Sequence, residues 1–365
     1  MKGLSIVSVT CIPMRLPFHH WTSPPLFAGR VRNKLDSALI RVETKSGLVG
    51  WGESYCVEGR ALTAIVDTFI APLSAGKEAD DPLLIPLIER ALHNLGRSGP
   101  VVHAIAGLDI ALWDLRGKAQ GVPVYELLGG KVRDKVRAYA SLLQYYAKPN
   151  LINQNVTRAL NSGFTEIKLH ERTTIAVKAA REATGQGVPL MVDTNCAWTL
   201  SEASDEITGM LPYDPLWIEE PLWPPDDSQG LAELRRSLDI KIASGENASS
   251  VHQLLERVDS NVIDYVQPSV IKVGLTAAWE VSQRCVGKQI KLAPQVAFFG
   301  PGYLASLHLL AAQQAESSIE RLYLELAFTP YHRTVPVIEG WVQVPDGPGF
   351  GADPDPELIA GNFSD

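Results

Sequence analysis

Residues 190–221 read LMVDTNCAWTLSEASDEITGMLPYDPLWIEEP, and this stretch decides the fold. A short apolar run ends at Asp193, a helical stretch follows, and a second short apolar run ends at Glu219. Short apolar strands that alternate with helices are typical of βα units and of a parallel sheet. The two acids therefore lie one βα unit apart, each at the end of its strand.

The same pattern continues on both sides of this stretch, from about Val136 onward. Eight strands are predicted at a period of roughly 25 to 30 residues, and eight is the number that a TIM-type barrel requires. They are residues 136–139, 166–170, 190–193, 217–219, 241–243, 263–267, 290–293 and 321–326. The active site of such a barrel is expected at the carboxyl ends of its strands.

The residues before the barrel have a different pattern. Three apolar runs predict an antiparallel meander. They are residues 4–14, 38–43 and 48–53. Apolar residues then recur every three or four positions from Ile105 to Leu115, and Gly121 and Pro123 follow, which predicts an amphipathic helix with a defined end. Residues 1 to about 125 are therefore predicted to be α+β.

Composition restricts the kind of protein. With 365 residues, of which 45% are hydrophobic and 20% charged, the chain can bury a large core. No basic stretch with a long apolar run stands at the start, and no eighteen uncharged apolar residues follow one another, so we expect a soluble cytoplasmic protein without a membrane partner. A formal net charge of -8 argues against a nucleic-acid partner. The four cysteines are widely spaced, which favours reduced thiols.

Three acids follow predicted strands at intervals of one βα unit: Asp193, Glu219 and Glu246. Carboxylates that converge in one barrel mouth repel one another and lose hydration unless a cation neutralises them. Oxygen ligands with positions left open for water and substrate suit Mg²⁺. One such acid usually caps a helix or pairs with a lysine, but three in phase with the barrel period predict a magnesium site.

One strand earlier, strand alternation places Lys168 and His170 on the same face, pointing into the mouth with the acids. A lone lysine at a strand end is usually solvated, and a lone histidine is usually structural. Beside a metal ion, either group is a candidate general base, and the pKa of a desolvated lysine there is expected to be lowered. The sequence therefore predicts two catalytic residues on this strand.

Six motifs together resemble the mandelate racemase/muconate lactonizing enzyme group of the enolase superfamily. They are residues 106–114 (AGLDIALWD), 127–130 (LLGG), 168–170 (KLH), 192–195 (VDTN), 217–221 (WIEEP) and 245–247 (GEN). The resemblance implies an α/β fold in which a TIM-type barrel, modified to (β/α)7β, lies under an N-terminal α+β capping domain. We predict the cap at residues 1–125, the barrel at 126–329, and a C-terminal tail at 330–365 that packs back on the cap.

The resemblance also implies roles for single residues. Asp193, Glu219 and Glu246 would bind Mg²⁺, and His170 would remove the proton alpha to the carboxylate of a small-molecule substrate. Lys168 would support the negative charge of the enediolate intermediate that results. The predicted substrate contacts are Asn195, Ser269, Gln295 and Glu325 in the barrel, and His19, His20 and Trp21 in a cap loop. Relatives of this kind tend to form symmetric oligomers, so a homo-oligomer is expected.

Two departures from the family pattern affect the expected reaction. Members often carry an Asp-His dyad where this chain has Ser269 and Gln295, and neither of these is a general base at neutral pH. Acid/base groups are therefore expected on only one side of the barrel mouth, the side with Lys168 and His170. This favours dehydration of a sugar acid, because one base can remove the alpha proton and return it as the β-hydroxyl leaves. The alternatives are a racemase, epimerase or lactone cycloisomerase that uses Tyr145 or a cap-loop histidine, and a metal-binding homologue without catalysis.

Overall fold

The computed structural model describes residues 3–27, 29–56, 59–331 and 335–360. The chain begins with an antiparallel sheet in which the order of the long strands is β1-β4-β5. The N-terminal strands are β1 (Ile6–His19), β2 (Leu26–Phe27), β3 (Arg30–Val31), β4 (Lys34–Thr44) and β5 (Val49–Tyr55). The predicted meander is present, but β1 and β4 extend further than their apolar runs. Pro13 and Pro17 fit within β1 because most of this strand lies at the sheet edge.

Helices cover one face of this sheet. They are α1 (Gly59–Ile65), α2 (Ala71–Ser74), α3 (Leu84–Ala91) and α4 (Pro100–Gln120), with a π-helical turn at Val66–Ile70 and a 3-10 turn at His93–Leu95. Helix α4 ends, as predicted, at Gly121, which takes a left-handed φ of 69°. A Cβ atom on Gly52 of β5 would lie 1.9 Å from the carbonyl oxygen of Gly107, so only glycine permits this close packing of α4 on the sheet.

A barrel of eight parallel strands follows the short helix α5 (Val124–Leu127). The strands are β6 (Lys135–Leu142), β7 (Ile167–Leu169), β8 (Leu190–Asp193), β9 (Trp217–Glu219), β10 (Ile242–Ser244), β11 (Tyr265–Val266), β12 (Lys291–Leu292) and β13 (Ile319–Tyr323). From β6 to β12, neighbours in sequence are neighbours in the sheet, and β13 pairs with β6. The prediction of eight strands at one βα spacing is confirmed.

Helices alternate with these strands around the outside. They are α6 (Pro149–Asn161), α7 (Thr174–Thr184), α8 (Leu200–Met210), α9 (Ser228–Leu238), α10 (Val251–Ser260), α11 (Val270–Val273), α12 (Leu275–Cys285) and α13 (Pro301–Ala312), with a 3-10 turn at Leu211–Tyr213. The outward strand faces and these helices form the main hydrophobic core. No helix in the described ranges is both long and apolar enough to cross a bilayer.

The barrel interior is layered along the strand direction. Its lower layer is a cluster of buried apolar side chains, one each from six strands: Tyr139, Met191, Trp217, Ala243, Tyr265 and Ala293. Two residues further along several strands, polar and charged side chains replace them, because alternate residues of a strand share a face. The layer nearest the carboxyl ends is therefore the charged one.

The C-terminal segment contacts both parts of the molecule. Strand β14 (Glu325–Leu326) pairs with β1 of the cap, while β16 (Trp341–Gln343) pairs with β6 of the barrel and with β15 (Val337–Ile338). Helix α14 (Pro356–Ala360) ends the described chain. The backbone N–H of Phe350 donates to the buried carboxylate of Asp114 in α4.

Buried carboxylates of the cap also accept hydrogen bonds from the starts of barrel helices. Glu53 of β5 accepts from the N–H of Gly302 at 3.0 Å and from the Ser37 hydroxyl at 2.5 Å. Asp109 of α4 accepts from the N–H of Thr276 at 2.8 Å and from its hydroxyl. Because helix N-termini carry free N–H groups and partial positive charge, these two contacts fix the cap on the barrel.

Candidate active site

A cavity of about 450 Å³ lies where the cap meets the carboxyl ends of the barrel strands. The cap lines it with Pro25, Leu26, Arg32 and Tyr55. The barrel contributes Leu143, Gln144, His170, Arg172, Asn195, Glu246, Asn247, Lys272, Gln295, Ala297 and Leu322. The site therefore lies at the end of the barrel that the sequence indicated.

Three acids at this end lie close together. Asp193, Glu219 and Glu246 each offer an oxygen atom, and these atoms all lie within 4.8 Å of one another. Asp193 and Glu219 are fully buried on adjacent strands in register, and Glu246 follows β10. Three carboxylate oxygens at this spacing suit a hard divalent cation with open positions.

The charges at this cluster are not balanced by protein groups alone. Burial raises the pKa of Glu219 well above its ordinary value, and the charge of Asp193 raises it further. Burial raises the pKa of Glu246 to about 7, although Lys272 acts in the opposite direction. A bound cation would relieve this repulsion, so the residues fit a magnesium ion.

Lys168 lies among these carboxylates and is 1% exposed. Its Nζ donates to both Glu219 oxygens, at 2.9 and 3.1 Å, and lies 2.8 Å from Glu320 Oε1 and 3.5 Å from Asp193 Oδ2. Burial alone would lower the pKa of Lys168, but Glu219 and Glu320 outweigh it and hold that pKa well above the ordinary value. The nearest protein charges to Lys168 are negative, and the lowering of its pKa that is expected beside a bound metal ion stays a prediction.

His170 has a fixed ring orientation at the edge of the cavity. Its Nδ1 lies 2.6 Å from the carbonyl oxygen of Leu142, so Nδ1 carries a proton and donates it. Its Nε2 lies 3.1 Å from Asp193 Oδ2. Burial lowers the pKa of His170, but Asp193 more than offsets it and the pKa is raised. Nε2 is thus the nitrogen left to exchange a proton with a ligand.

The acid of the eighth strand is Glu320, which the sequence analysis missed. Glu320 is 1% exposed, and it accepts from the Ser141 hydroxyl at 2.6 Å and from the N–H of Val296 at 2.8 Å. The placement of Glu325 at the end of that strand is wrong. Strand β13 ends at Tyr323, and Glu325 is an exposed residue of β14, paired with His19. It does not line the cavity.

The far wall carries neutral polar groups. Gln295 lines the cavity, while Ser269 is 1% exposed and precedes α11. The Ser269 hydroxyl has no hydrogen-bond partner among the described residues, and neither does the amide of Gln267, which is completely buried two residues beyond Tyr265. Gln267 was not predicted as a site residue. The sequence does contain a signal for Gln267. Tyr265 points into the barrel, and strand alternation places the residue two positions later on the same face.

Asn195 lines the cavity beside the acids. Its backbone N–H donates to Asp193 Oδ1 at 2.9 Å, and its own φ of 50° is left-handed. Glu220 secures the neighbouring loop, because its carboxylate accepts from the side-chain amide of Asn247 at 2.5 Å and from the N–H of Gly245 at 3.2 Å. These contacts hold the segment that carries Glu246.

The structure places the three cap-loop residues outside the cavity lining. His20 is 1% exposed and its ring stacks with Tyr145. Trp21 packs on Tyr323, and the Arg158 guanidinium lies over the Trp21 ring. The backbone N–H of Trp21 donates to Nδ1 of His19. The predicted loop does reach the cavity, but through Pro25 and Leu26 rather than through these residues.

Two family patterns match the chain. The one described as mandelate racemase / muconate lactonizing enzyme, N-terminal domain, matches residues 14–129. The one described as enolase C-terminal domain-like matches residues 152–358, which is more than half of the chain. The predicted resemblance and fold class are both confirmed.

Similar proteins include enzymes of two reaction classes. A D-galactonate dehydratase from Pectobacterium atrosepticum is 32% identical over 289 residues, which are 74% of this chain and 74% of that protein. A D-galactarolactone cycloisomerase from Agrobacterium fabrum is 26% identical over an alignment of 370 residues, covering 95% of this chain and 96% of that protein.

A solved structure supports the predicted cofactor. A racemase from Streptomyces coelicolor A3(2), with bound magnesium, has a TM-score of 0.87 at 26% identity and covers 98% of this chain and 99% of its own. That neighbour and the acid cluster agree with magnesium as the cofactor. From the cap sheet to the last barrel strand, then, sequence and architecture lead to one assignment: the chain belongs to the mandelate racemase/muconate lactonizing enzyme family of the enolase superfamily.

Proposed function

We propose that this enzyme removes the proton alpha to the carboxylate of a polyhydroxy acid and eliminates the β-hydroxyl group as water. The observation that carries the proposal is the position of His170. Its ring is oriented by the Leu142 carbonyl, it borders the cavity, and its Nε2 lies 3.1 Å from the carboxylate of Asp193. A base next to a cation site is what alpha-proton removal requires.

Asp193, Glu219 and Glu246 would hold magnesium, which when bound supplies positive charge to the carboxylate oxygens of the substrate. Lys168 lies in the same layer, where its Nζ is 2.8 to 3.5 Å from the carboxylates of Glu320, Glu219 and Asp193. It would stabilise the negative charge that develops as the alpha proton leaves. Asn195 and Gln295, which line the cavity, are proposed to bind substrate hydroxyls.

Dehydration fits the unequal distribution of acid/base groups between the side of the cavity that carries His170 and the opposite side. His170 takes the alpha proton, the bond from the β-carbon to its hydroxyl breaks, and the proton leaves with that hydroxyl as water. The enol that remains becomes a 2-oxo acid. These steps need one acid/base group, which His170 supplies. On the opposite side, Gln267, Ser269 and Gln295 supply none, and Lys272 is not required. The similarity to a D-galactonate dehydratase supports this class of reaction.

The test is incubation with Mg²⁺ and a panel of sugar acids in D₂O, followed by mass spectrometry. Loss of one water from a substrate, with deuterium in the product, is expected. His170→Ala should reduce the rate by about 10²–10⁴-fold, the usual contribution of a general base. His93→Ala, at an exposed position outside the cavity, is the matched control. Full activity in His170→Ala would contradict the assigned role.

A second candidate is isomerase chemistry, and one cavity residue favours it. Lys272 follows β11, four strands from β7 and thus across the barrel from His170, and its Nζ donates to the carbonyl of Glu246 at 3.0 Å. Tyr145, by contrast, is fully buried and does not line the cavity. If Lys272 returns the proton from the opposite face, the product keeps the mass of the substrate apart from deuterium. Product mass therefore distinguishes the two reactions, because only dehydration lowers it by one water.

The homo-oligomer and the cytoplasmic location stay predictions. The relevant measurement for the first is the molar mass in solution by light scattering. The proposed substrate is a small-molecule carboxylate in either case.

A further inference from the structure

A second cavity, of about 540 Å³, adjoins the catalytic one. Four residues line both cavities, and they form the boundary between them: Arg32, Tyr55, Gln295 and Ala297. The second cavity extends from this boundary along the cap, between β1, β3 and β4 on one side and Ile271 and Phe298 of the barrel on the other. The cavity at the acid cluster and the second cavity therefore lie side by side, with Gln295 between them.

The second compartment is strongly basic. Arg15, Arg30, Arg32 and Lys34 line it, and Asp36 is the one acid among its described lining residues. Arg15 Nε lies 3.5 Å from Asp36 Oδ1, and both side chains are partly exposed, at 45% and 35%. Counted together, the lining side chains carry three more positive than negative formal charges. The whole chain carries a formal charge of -8, so this concentration is local and not a general property of the surface.

Regular secondary structure positions these cations. In the β1–β4 ladder, Arg15 pairs with Asp36 and Pro17 pairs with Lys34. Arg30 begins β3, whose partner β2 contains Leu26 of the catalytic cavity. Arg32 follows that hairpin, and its N–H donates to the carbonyl of Pro25. Cations held on paired strands have a defined place relative to the catalytic cavity, which favours recognition of one group at one distance.

We propose that the second cavity binds a carboxylate at the far end of the substrate, so that the substrate is a polyhydroxy diacid. This inference rests on the proposed function, because it assumes that the first carboxylate lies at the acid cluster. Guanidinium and ammonium groups bind a carboxylate through charge-assisted hydrogen bonds, which are stronger than those to a neutral hydroxyl. A terminal alcohol would occupy the same space without neutralising the excess charge.

The test uses pairs of acids that differ only at the far end: galactonate and galactarate, gluconate and glucarate, mannonate and mannarate. Binding of each to the Mg²⁺-loaded protein is measured by calorimetry, and alpha-proton exchange is measured in D₂O in parallel. In the pair with the right stereochemistry, the diacid is expected to bind at least about tenfold more tightly. Higher salt should reduce that ratio, because the cations are partly exposed.

Two variants locate the effect. Arg30→Met/Lys34→Met should lower the ratio of diacid to monoacid affinity toward one, whereas Lys34→Arg should retain it. Lys178→Met, on an exposed side chain of α7, is the matched loss of a charge far from the cavity and should leave the ratio unchanged.

Each outcome has a defined meaning. Three results would overturn the inference, even if the acids exchange their alpha proton. They are equal binding of both members of every pair, no binding of any acid, and an unchanged ratio of diacid to monoacid affinity in the double variant. A diacid preference that the double variant removes, without exchange in any acid, keeps the second site and overturns the proposed function. Tighter binding of 6-phosphogluconate than of every diacid would replace the carboxylate with a phosphate and overturn the diacid assignment.

Discussion

Two groups of buried carboxylates differ in what surrounds them. At the barrel mouth, Asp193 and Glu219 face each other, with a third acid within 4.8 Å. Where the cap meets the barrel, Glu53 and Asp109 each lie alone and accept hydrogen bonds from backbone N–H groups at the starts of helices. Asp193, Glu219, Glu53 and Asp109 are almost inaccessible to solvent, whereas the third acid of the mouth, Glu246, is partly exposed.

The difference separates function from stability. A buried carboxylate that accepts several N–H bonds is satisfied by the fold and contributes to it. Carboxylates that crowd one another destabilise the fold unless a cation binds, and such arrangements occur at functional sites. The comparison predicts that substitutions at the mouth change activity and metal response, whereas substitutions at the interface change the free energy of unfolding.

The largest effect is expected for Glu219→Gln. It should reduce turnover by about 10²–10³-fold or more, because the substitution removes a proposed metal ligand. Magnesium at a hundred times its dissociation constant should stabilise the wild-type protein by about 2.7 kcal/mol, and the variant should lose that response. Thermal unfolding with and without Mg²⁺ measures this. Glu233→Gln, at an exposed position on α9, should keep both properties, and an unchanged metal response in Glu219→Gln would contradict the ligand assignment.

A smaller effect on a different property is expected for Asp109→Ala. The variant leaves the N–H and hydroxyl of Thr276 without their buried acceptor, which costs about 1–3 kcal/mol of unfolding free energy. Urea denaturation measures it, and the Mg²⁺ response should persist. Asp205→Ala, on an exposed face of α8, provides the comparison. A loss of stability no greater than in Asp205→Ala would show that this contact does not fix the cap.

An effect no larger than that of Asp109→Ala concerns pH. Burial raises the pKa of Glu53 from 4.5 to about 7, although Ser37 and the Gly302 N–H act the other way. The folded state therefore binds this proton more tightly than the unfolded state, so the contribution of Glu53 is fully present below pH 4.5 and is lost as pH rises through 7. Between pH 5 and 8 the wild-type protein should lose about 1–3 kcal/mol that Glu53→Gln does not lose. If the unfolding free energies of the wild-type protein and of Glu53→Gln changed in parallel with pH, this prediction would be contradicted.

Sequence alone predicted the residues that recur at a regular spacing along the chain. The acids Asp193 and Glu219 end apolar runs at the spacing of βα units, and Lys168 and His170 share a strand face by alternation. The helix that ends at Gly121 has both an apolar stripe and a left-handed C-cap. In each case a local pattern and the fold favour the same placement.

The eighth strand shows where the pattern was insufficient. Apolar residues recur from Ile319 to Leu326 without a turn signal, but the chain leaves the barrel after Tyr323 and pairs with β1. The acid near the end of the predicted strand at residues 321–326 is Glu325. The buried acid is Glu320, near the start of the strand, where only knowledge of the neighbouring strands identifies it.

Two further features depend on distant segments and had no local signal. The burial of His20 against Tyr145 requires the loop after β6, and the packing of Trp21 requires Tyr323. The basic cavity unites β1, β3 and β4 with barrel loops more than 200 residues away in sequence. Such contacts are set by tertiary structure rather than by propensity.

Strand β5 combines three roles within four residues. Gly52 allows the close packing of α4, Glu53 contacts the start of α13, and Tyr55 lines both cavities. An evolutionary change in substrate preference at Tyr55 is therefore constrained by its neighbours, since any shift of the strand disturbs packing and domain attachment together. Among the described residues of the β2–β3 hairpin, Leu26 lines the catalytic cavity and Arg30 and Val31 line the second one. Mutational tolerance should be low along residues 52–55 and higher in the hairpin, so new specificity is more accessible there.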